Sequence, residues 1–174
     1  MHHNYKTNNI NMLRVINVSE GTSVDGPGLR TSIYFAGCEH HCEGCHNPQS
    51  WSADAGRETT EEELLKVIEY NDFPVTFSGG DPFFNPDDVA HFAKRIKQEL
   101  GKNIWCYTGY KWENIVNDER FQELLKWIDV LVDSPFILAK RNIQLRFRGS
   151  DNQRIIDVQQ SLRKGEMVDI TDRY

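Results

Sequence analysis

The sequence predicts an α/β fold with a mostly parallel sheet and helices packed outside it. Three observations carry that reading. Strand-like and helix-like segments alternate along the chain. Polar or glycine-rich clusters follow the C-terminal ends of the strand segments: the cysteine loop after 31–36, SGGDP after 75–77, TGY after 103–107 and DSPF after 129–132. In α/β sheets and barrels that edge is where sites are assembled. Finally, 174 residues with 39% apolar side chains suffice for one core and suit a single domain.

The elements follow in order. Residues 1–11 are polar and Asn-rich and read as a loose arm ahead of a domain spanning 12–174. RVINVSE (14–20) is a short strand rich in β-branched residues. VDGPGLR (24–30) is turn chemistry, and TSIYFAG (31–37) is a buried strand that runs into the cysteine loop. TTEEELLKVIEYN (59–71) opens with threonines and acids, a cap and first turn, before Leu64, Leu65 and Ile68 repeat at helical spacing. PVTFSGGDP is a strand ending in a glycine turn. NPDDVAHFAKRIKQEL (85–100) is a second helix, with Asn85 as cap, Pro86 first and Gly101 at the stop. Two further strands, NIWCYTGY (103–110) and DVLVDSPF (129–136), flank a helical stretch near DERFQELLKWI. The segment from Ile143 to Gly165 reads as strand, turn, and short strand or helix. Arg146 and Arg148 alternate there with Leu145 and Phe147, as on a solvated edge strand.

The net charge of −6 argues against a general attraction to nucleic acid or anionic membrane. No apolar run approaches the ~18–20 residues of a membrane-spanning helix, and the first ten residues lack the apolar core of a secretory signal. A cytoplasmic protein is therefore expected. There cysteines stay reduced, and three in one loop point to a metal site rather than to disulfides.

Cys38, Cys42 and Cys45 give the spacing C-x3-C-x2-C. Thiolates are soft ligands for zinc or iron–sulfur clusters, and spacings this short wrap one centre. Gly37 and Gly44 suit tight turns and close backbone approach. A core-filling role fits poorly with a glycine-punctuated, His-rich loop. A zinc site would need a fourth ligand from His40, His41, His46 or Cys106, and no second CxxC is present. A cubane held by three thiolates would leave one iron open to a substrate or cofactor.

The spacing on a loop after an early strand resembles the signature of the radical S-adenosylmethionine superfamily. VDGPGLRTSIYFAGCEHHCEGCHNPQSW is similar to the start of glycyl-radical-enzyme activases. With SGGDPF, WCYTGYKWENI, VLVDSPF and LRFRGSDNQRI, residues 12 to 157 resemble the activases of anaerobic ribonucleoside-triphosphate reductase. The resemblance implies one [4Fe–4S] cluster on Cys38, Cys42 and Cys45, with S-adenosyl-L-methionine chelating the fourth iron. It implies reductive cleavage to a 5′-deoxyadenosyl radical and hydrogen abstraction from a glycine of the reductase, with an electron donor such as a flavodoxin. It also implies a single-domain partial (β/α) barrel of about six strand–helix units, since a full barrel rarely has fewer than ~200 residues.

Carried onto this chain, the family pattern gives cofactor-binding roles to Gly44, Cys45 and His46 on the nucleoside. It extends them to Ser78, Gly79, Gly80 and Asp81, whose carboxylate suits the methionyl ammonium, and to Tyr107, Thr108, Gly109, Asp133 and Ser134 at later strand ends. Each later pair also reads as an ordinary turn or strand cap. His40 and His41 are expected to be solvated loop residues with no ligand role, and Cys106 to fill the core. Activases of other glycyl radical enzymes such as pyruvate formate-lyase, small-molecule radical enzymes, and a non-catalytic zinc-stabilised binding module are the alternatives.

Overall fold

The computed structural model describes residues 11–174, so the expected arm lies outside the described residues except for Asn11. Seven strands form one mixed sheet: β1 (Met12–Thr22), β2 (Arg30–Phe35), β3 (Arg57–Thr60), β4 (Val75–Gly79), β5 (Ile104–Tyr107), β6 (Val130–Asp133) and β7 (Arg154–Asp157). Their spatial order is β3-β1-β2-β4-β5-β6-β7. The centre, β2-β4-β5-β6, is parallel, and β1, β3 and β7 pair antiparallel at the flanks. The α/β class is as the sequence predicts. The repeat is less regular than six strand–helix units, because β1 turns directly into β2, β2 runs into the cysteine loop, and β6 leads into a long irregular connection.

The helices are α1 (Glu61–Asn71), α2 (Pro86–Arg95), the single turns α3 (Trp112–Ile115) and α4 (Gln122–Leu125), and α5 (Val158–Lys164). Helix α1 starts with a complete capping box: Thr60 accepts from the Glu63 N–H while Glu63 reaches back to the Thr60 N–H. Helix α2 begins at Pro86 and continues as a π-helical turn to Leu100, closed by Gly101 at φ +63°. Among the described residues no helix is long and apolar enough to cross a membrane.

Strand alternation gives the sheet two unlike faces. One row, Ile33, Phe77, Cys106, Leu131 and Ile156, runs across the sheet in register and is fully buried. It belongs to the main core with Phe92, Ile96 and Leu124 from the helices. The alternate residues Tyr34, Ser78 and Tyr107 stand on the other face, beside Trp105, Val132 and Ile155 of a smaller core. Cys106 is therefore core filling, as expected. The second face carries the site.

Two local expectations change. β3 is a polar four-residue edge strand set by its pairing to β1, and nothing in RETT signals it. Residues 143–148 form no edge strand: Phe147 takes φ +59°, and its ring packs on Trp105 and Tyr174 at 5.6 Å each. Gln153 Oε1 accepts from the Gly149 and Ser150 N–H groups, and Arg148 donates to the Gln153 carbonyl at 3.0 Å. These bonds fold the segment back over the sheet, so burial of one aromatic ring outweighs the alternating pattern.

Candidate metal centre and adjoining chamber

The cysteine loop is pinned at its base and free at its crest. The Gly37 and Cys38 N–H groups donate to the Ser50 and Trp51 carbonyls at 2.8 and 3.1 Å, which closes the loop on itself. Gly37 sits at φ +94°, and a Cβ there would lie 2.3 Å from the Phe84 ring. At the crest, the Cys45 N–H donates to the Cys42 carbonyl at 3.1 Å, and the Asn47 N–H points at Cys45 Sγ at 3.4 Å. Backbone donors aimed at a cysteine sulfur tune iron–sulfur centres. All three cysteines are half-buried. Burial pushes the Cys38 thiol up to about 11 and Cys42 in the same direction. These sulfurs become ligands only to a cation strong enough to displace their protons, as a bound metal does.

Among the described residues, no three His, Cys, Asp or Glu side chains converge as a single ion requires. A zinc ion would draw every thiolate to about 2.3 Å from one point. A cubane takes each thiolate at a separate iron. The donor set of three spaced thiols with a backbone donor on one of them fits the cluster better.

Asp81 ties this loop to the sheet. Fully buried, its Oδ2 accepts from His40 Nε2 at 2.8 Å, from Thr108 Oγ1 at 2.9 Å and from the Gly109 N–H at 2.9 Å, while Oδ1 accepts from the Phe83 N–H at 2.9 Å. Its backbone N–H donates to Gly37 at 2.8 Å. Three strand ends meet on one carboxylate. Asp81 thus differs from its expected role on a methionyl ammonium: four donors already occupy it. His40 corrects the expectation of a solvated residue, with a side chain 17% exposed. The hydrogen bond to Asp81 raises its pKa above the ordinary histidine value, against the effect of burial. His41 is exposed, as expected of a loop histidine, with its ring 4.8 Å from Trp51.

The glycines of this hub are there for clearance. A Cβ on Gly80 would sit 2.3 Å from the Gly37 carbonyl oxygen, and one on Gly109 would sit 2.4 Å from the His40 ring. Gly79, at φ +101°, would place a Cβ 2.4 Å from the Phe35 nitrogen. Asp133, also fully buried, is held by the Trp112 N–H at 2.8 Å, Ser134 Oγ at 3.2 Å and the Arg154 guanidinium. Asp133, Ser134, Thr108 and Gly109 therefore serve as strand-end ties in this structure.

Beside the cysteine loop opens a chamber of about 650 Å³, within the range of small-molecule sites. His46, Ser78 and Tyr107 of the expected residues line it; Cys45 and Gly79 adjoin wall residues in sequence, and Gly44 and Gly80 lie outside the wall. His46 packs at 5.2 Å from Phe136, and a Cβ on Gly44, at φ +72°, would crowd Leu138 at 2.9 Å. Asp25, Tyr34 and Gln153 are wall residues that the motif reading missed, and Arg148, expected on a solvated edge although the family pattern sets it near the active face, is a wall residue too. Tyr34 donates to Asp25; burial, and then that bond, raise the Tyr34 phenol's pKa, as burial does for Tyr107. Arg148 Nε is buried with no partner among the described residues, an orphaned donor beside the chamber. A sequence signal existed for Asp25, since VDGPG places it in a turn facing a strand end. None existed for Tyr34, whose exposure to the chamber follows from strand register.

Comparison with known proteins decides the family. A profile for a 4Fe-4S single cluster domain matches residues 24–156. A protein of Vibrio cholerae named anaerobic ribonucleoside-triphosphate reductase-activating protein is 39% identical over 139 residues, covering 75% of this chain and 88% of the relative. Relatives of the same name from Haemophilus influenzae and Enterobacteria phage T4 are 37% and 35% identical, covering 75% and 76% of this chain and 88% and 86% of theirs. The chain belongs to the anaerobic ribonucleoside-triphosphate reductase-activating protein family. The cluster-domain match spans the cysteine loop and six of the seven strands in whole or part, from the turn before β2 into β7.

Proposed function

We propose that the chain is an activase that uses one [4Fe–4S] cluster and S-adenosylmethionine to generate a glycyl radical on anaerobic ribonucleoside-triphosphate reductase. The observation that carries this reading is the pairing of a three-thiol loop with a chamber large enough for a nucleoside cofactor. When bound, the reduced cluster supplies the electron that cleaves the sulfonium and yields the hydrogen-abstracting radical.

The residues divide the labour. Cys38, Cys42 and Cys45 would hold the cluster, and its site left without a thiolate would be available to the cofactor. The Gly37–Ser50 and Asp81 bonds fix the loop against the ends of β4 and β5, so a cluster held there would be supported by the rigid edge of the sheet. Ser78 and Tyr107 offer hydroxyls from the sheet face. Arg148, with a free buried N–H, suits an anionic group of the cofactor. His46 and Phe136 give a paired aromatic surface for the adenine. Gly44, Gly79, Gly80 and Gly109 allow backbone to approach where a side chain would clash.

Read as a partial barrel within one domain of residues 12–174, the open sheet would admit a polypeptide segment of the partner to the chamber. A one-electron donor such as a flavodoxin would reduce the cluster. Anaerobic preparation followed by iron, sulfide and zinc analysis tests the cofactor. About four irons per chain, with S-adenosylmethionine cleaved to 5′-deoxyadenosine on reduction, is the expected result. One zinc and no cleavage would leave a binding module instead.

A further inference from the structure

Residues 134–150 carry four of the chain's 20 cations, Lys140, Arg141, Arg146 and Arg148, and no acid, in a chain whose net charge is −6. The segment has two sides. Phe136, Leu145 and Phe147 wall the chamber. Away from that wall, Ile143 is 83% exposed, and Leu138, 43% exposed, borders Gly44 of the cysteine loop. Lys140, Arg141 and Arg146 are exposed there too, and no ion pair joins them to a carboxylate among the described residues. Of the two acids that flank the segment, Asp151 accepts from Asn142 and Asp133 from Arg154. Val24, in the chamber wall, is 72% exposed.

Neither feature helps the folded chain by itself. An isoleucine this exposed loses its hydrophobic contribution, and three unpaired cations add nothing to internal stability. Together they have the composition of an interface, with apolar anchors inside a charged rim. A small cofactor held inside the chamber does not reach this outer side. Nucleic acid would use the cations and leave Ile143 and Leu138 in water. An acidic protein surface with apolar pockets uses both, and the patch charge is complementary to it.

We infer that residues 137–146 are the docking surface for the protein substrate, an acidic partner whose glycine-bearing segment then enters the chamber beside this flap. The inference rests on the activase reading and specifies the partner's chemistry.

The test uses the reconstituted chain with the anaerobic ribonucleoside-triphosphate reductase from the same source. Two variants are made, the triple Lys140→Glu, Arg141→Glu, Arg146→Glu and the single Ile143→Asp. Iron content and reductase-independent cleavage of S-adenosylmethionine are expected to stay at wild-type level in both. The apparent KM for the reductase is expected to rise roughly tenfold or more, with the limiting rate kept, and added salt should weaken the wild type in the same direction. Variants that activate the reductase at the wild-type KM overturn the docking surface while leaving the activase reading intact. A wild-type chain that cleaves the cofactor but forms no radical on the reductase overturns the activase reading itself. If the triple variant instead loses binding of a mixed-sequence oligoribonucleotide and keeps the reductase, the face serves nucleic acid and the inference is wrong.

Discussion

At Asp81 the sequence suggests one task and the hydrogen bonds show another. A carboxylate after a glycine turn beside three cysteines invites a ligand role, yet four donors from four residues already converge on it. Removing the charge while keeping the shape turns one acceptor into a donor facing donors, at a cost of about 2 kcal/mol. Asp81→Asn is therefore expected to lower the melting temperature by roughly 4–8 °C in a chain of this size, measured by circular dichroism under anaerobic conditions. Loss of S-adenosylmethionine affinity at an unchanged melting temperature would return Asp81 to the cofactor. Cysteine identity makes a sharper test. Cys38→Ser, Cys42→Ser and Cys45→Ser should each lose iron, while Cys106→Ser, buried in the helix-covered core, should keep it. The three cysteines proposed as ligands were legible as a group because spacing alone places them on one loop. The occupation of Asp81 was not, because its partners His40, Thr108 and Gly109 come from chain positions 41, 27 and 28 residues away.

At the scale of elements, the strands and long helices follow their patterns closely, since a period of two or 3.6 is a local property. The departures come where contacts between distant elements decide. β3 exists because β1 offers it an edge, and the 143–148 turn exists because Phe147 finds Trp105 and Tyr174. Loop clearance gives a prediction here: Gly80→Ala would set a Cβ 2.3 Å from the Gly37 carbonyl oxygen, so the cysteine loop must shift. A destabilisation of about 3 kcal/mol with parallel loss of bound iron is expected, read from urea unfolding and iron analysis. The end of β6 gives another. Arg154 joins buried Asp133 to Glu113 on α3, and its hydrogen bonds push Glu113 down to about 2. A depressed carboxylate adds stability above its ordinary value and loses it as the pH falls from about 4.5 to about 2. Glu113 is 57% exposed, so solvent damps that contribution. Arg154→Met should cost about 3 kcal/mol at neutral pH, mainly from the unpaired Asp133. The gap to wild type should narrow across that acid window, followed by urea midpoints against pH.

On the whole-molecule scale, the sheet separates stability from chemistry. One face is buried under helices, and the other presents Tyr34, Ser78 and Tyr107 to a chamber whose mouth adjoins the cysteine loop. The cysteine loop follows the C-terminal end of β2, and the Asp81 and Thr108–Gly109 turns that tie to it follow β4 and β5. The chamber's volume and wall were not foretold, because they depend on how the 134–150 segment folds back. The account holds that three thiolates of this loop carry a cluster whose open iron serves radical generation on a partner. Electron paramagnetic resonance tests this most directly, on a frozen anaerobic mixture of reconstituted chain, S-adenosylmethionine, a reductant and the anaerobic ribonucleoside-triphosphate reductase. A glycyl radical doublet on the reductase, absent when Cys42→Ser replaces the wild type, is the predicted result. A wild-type chain with its four irons in place and no such signal would contradict the account.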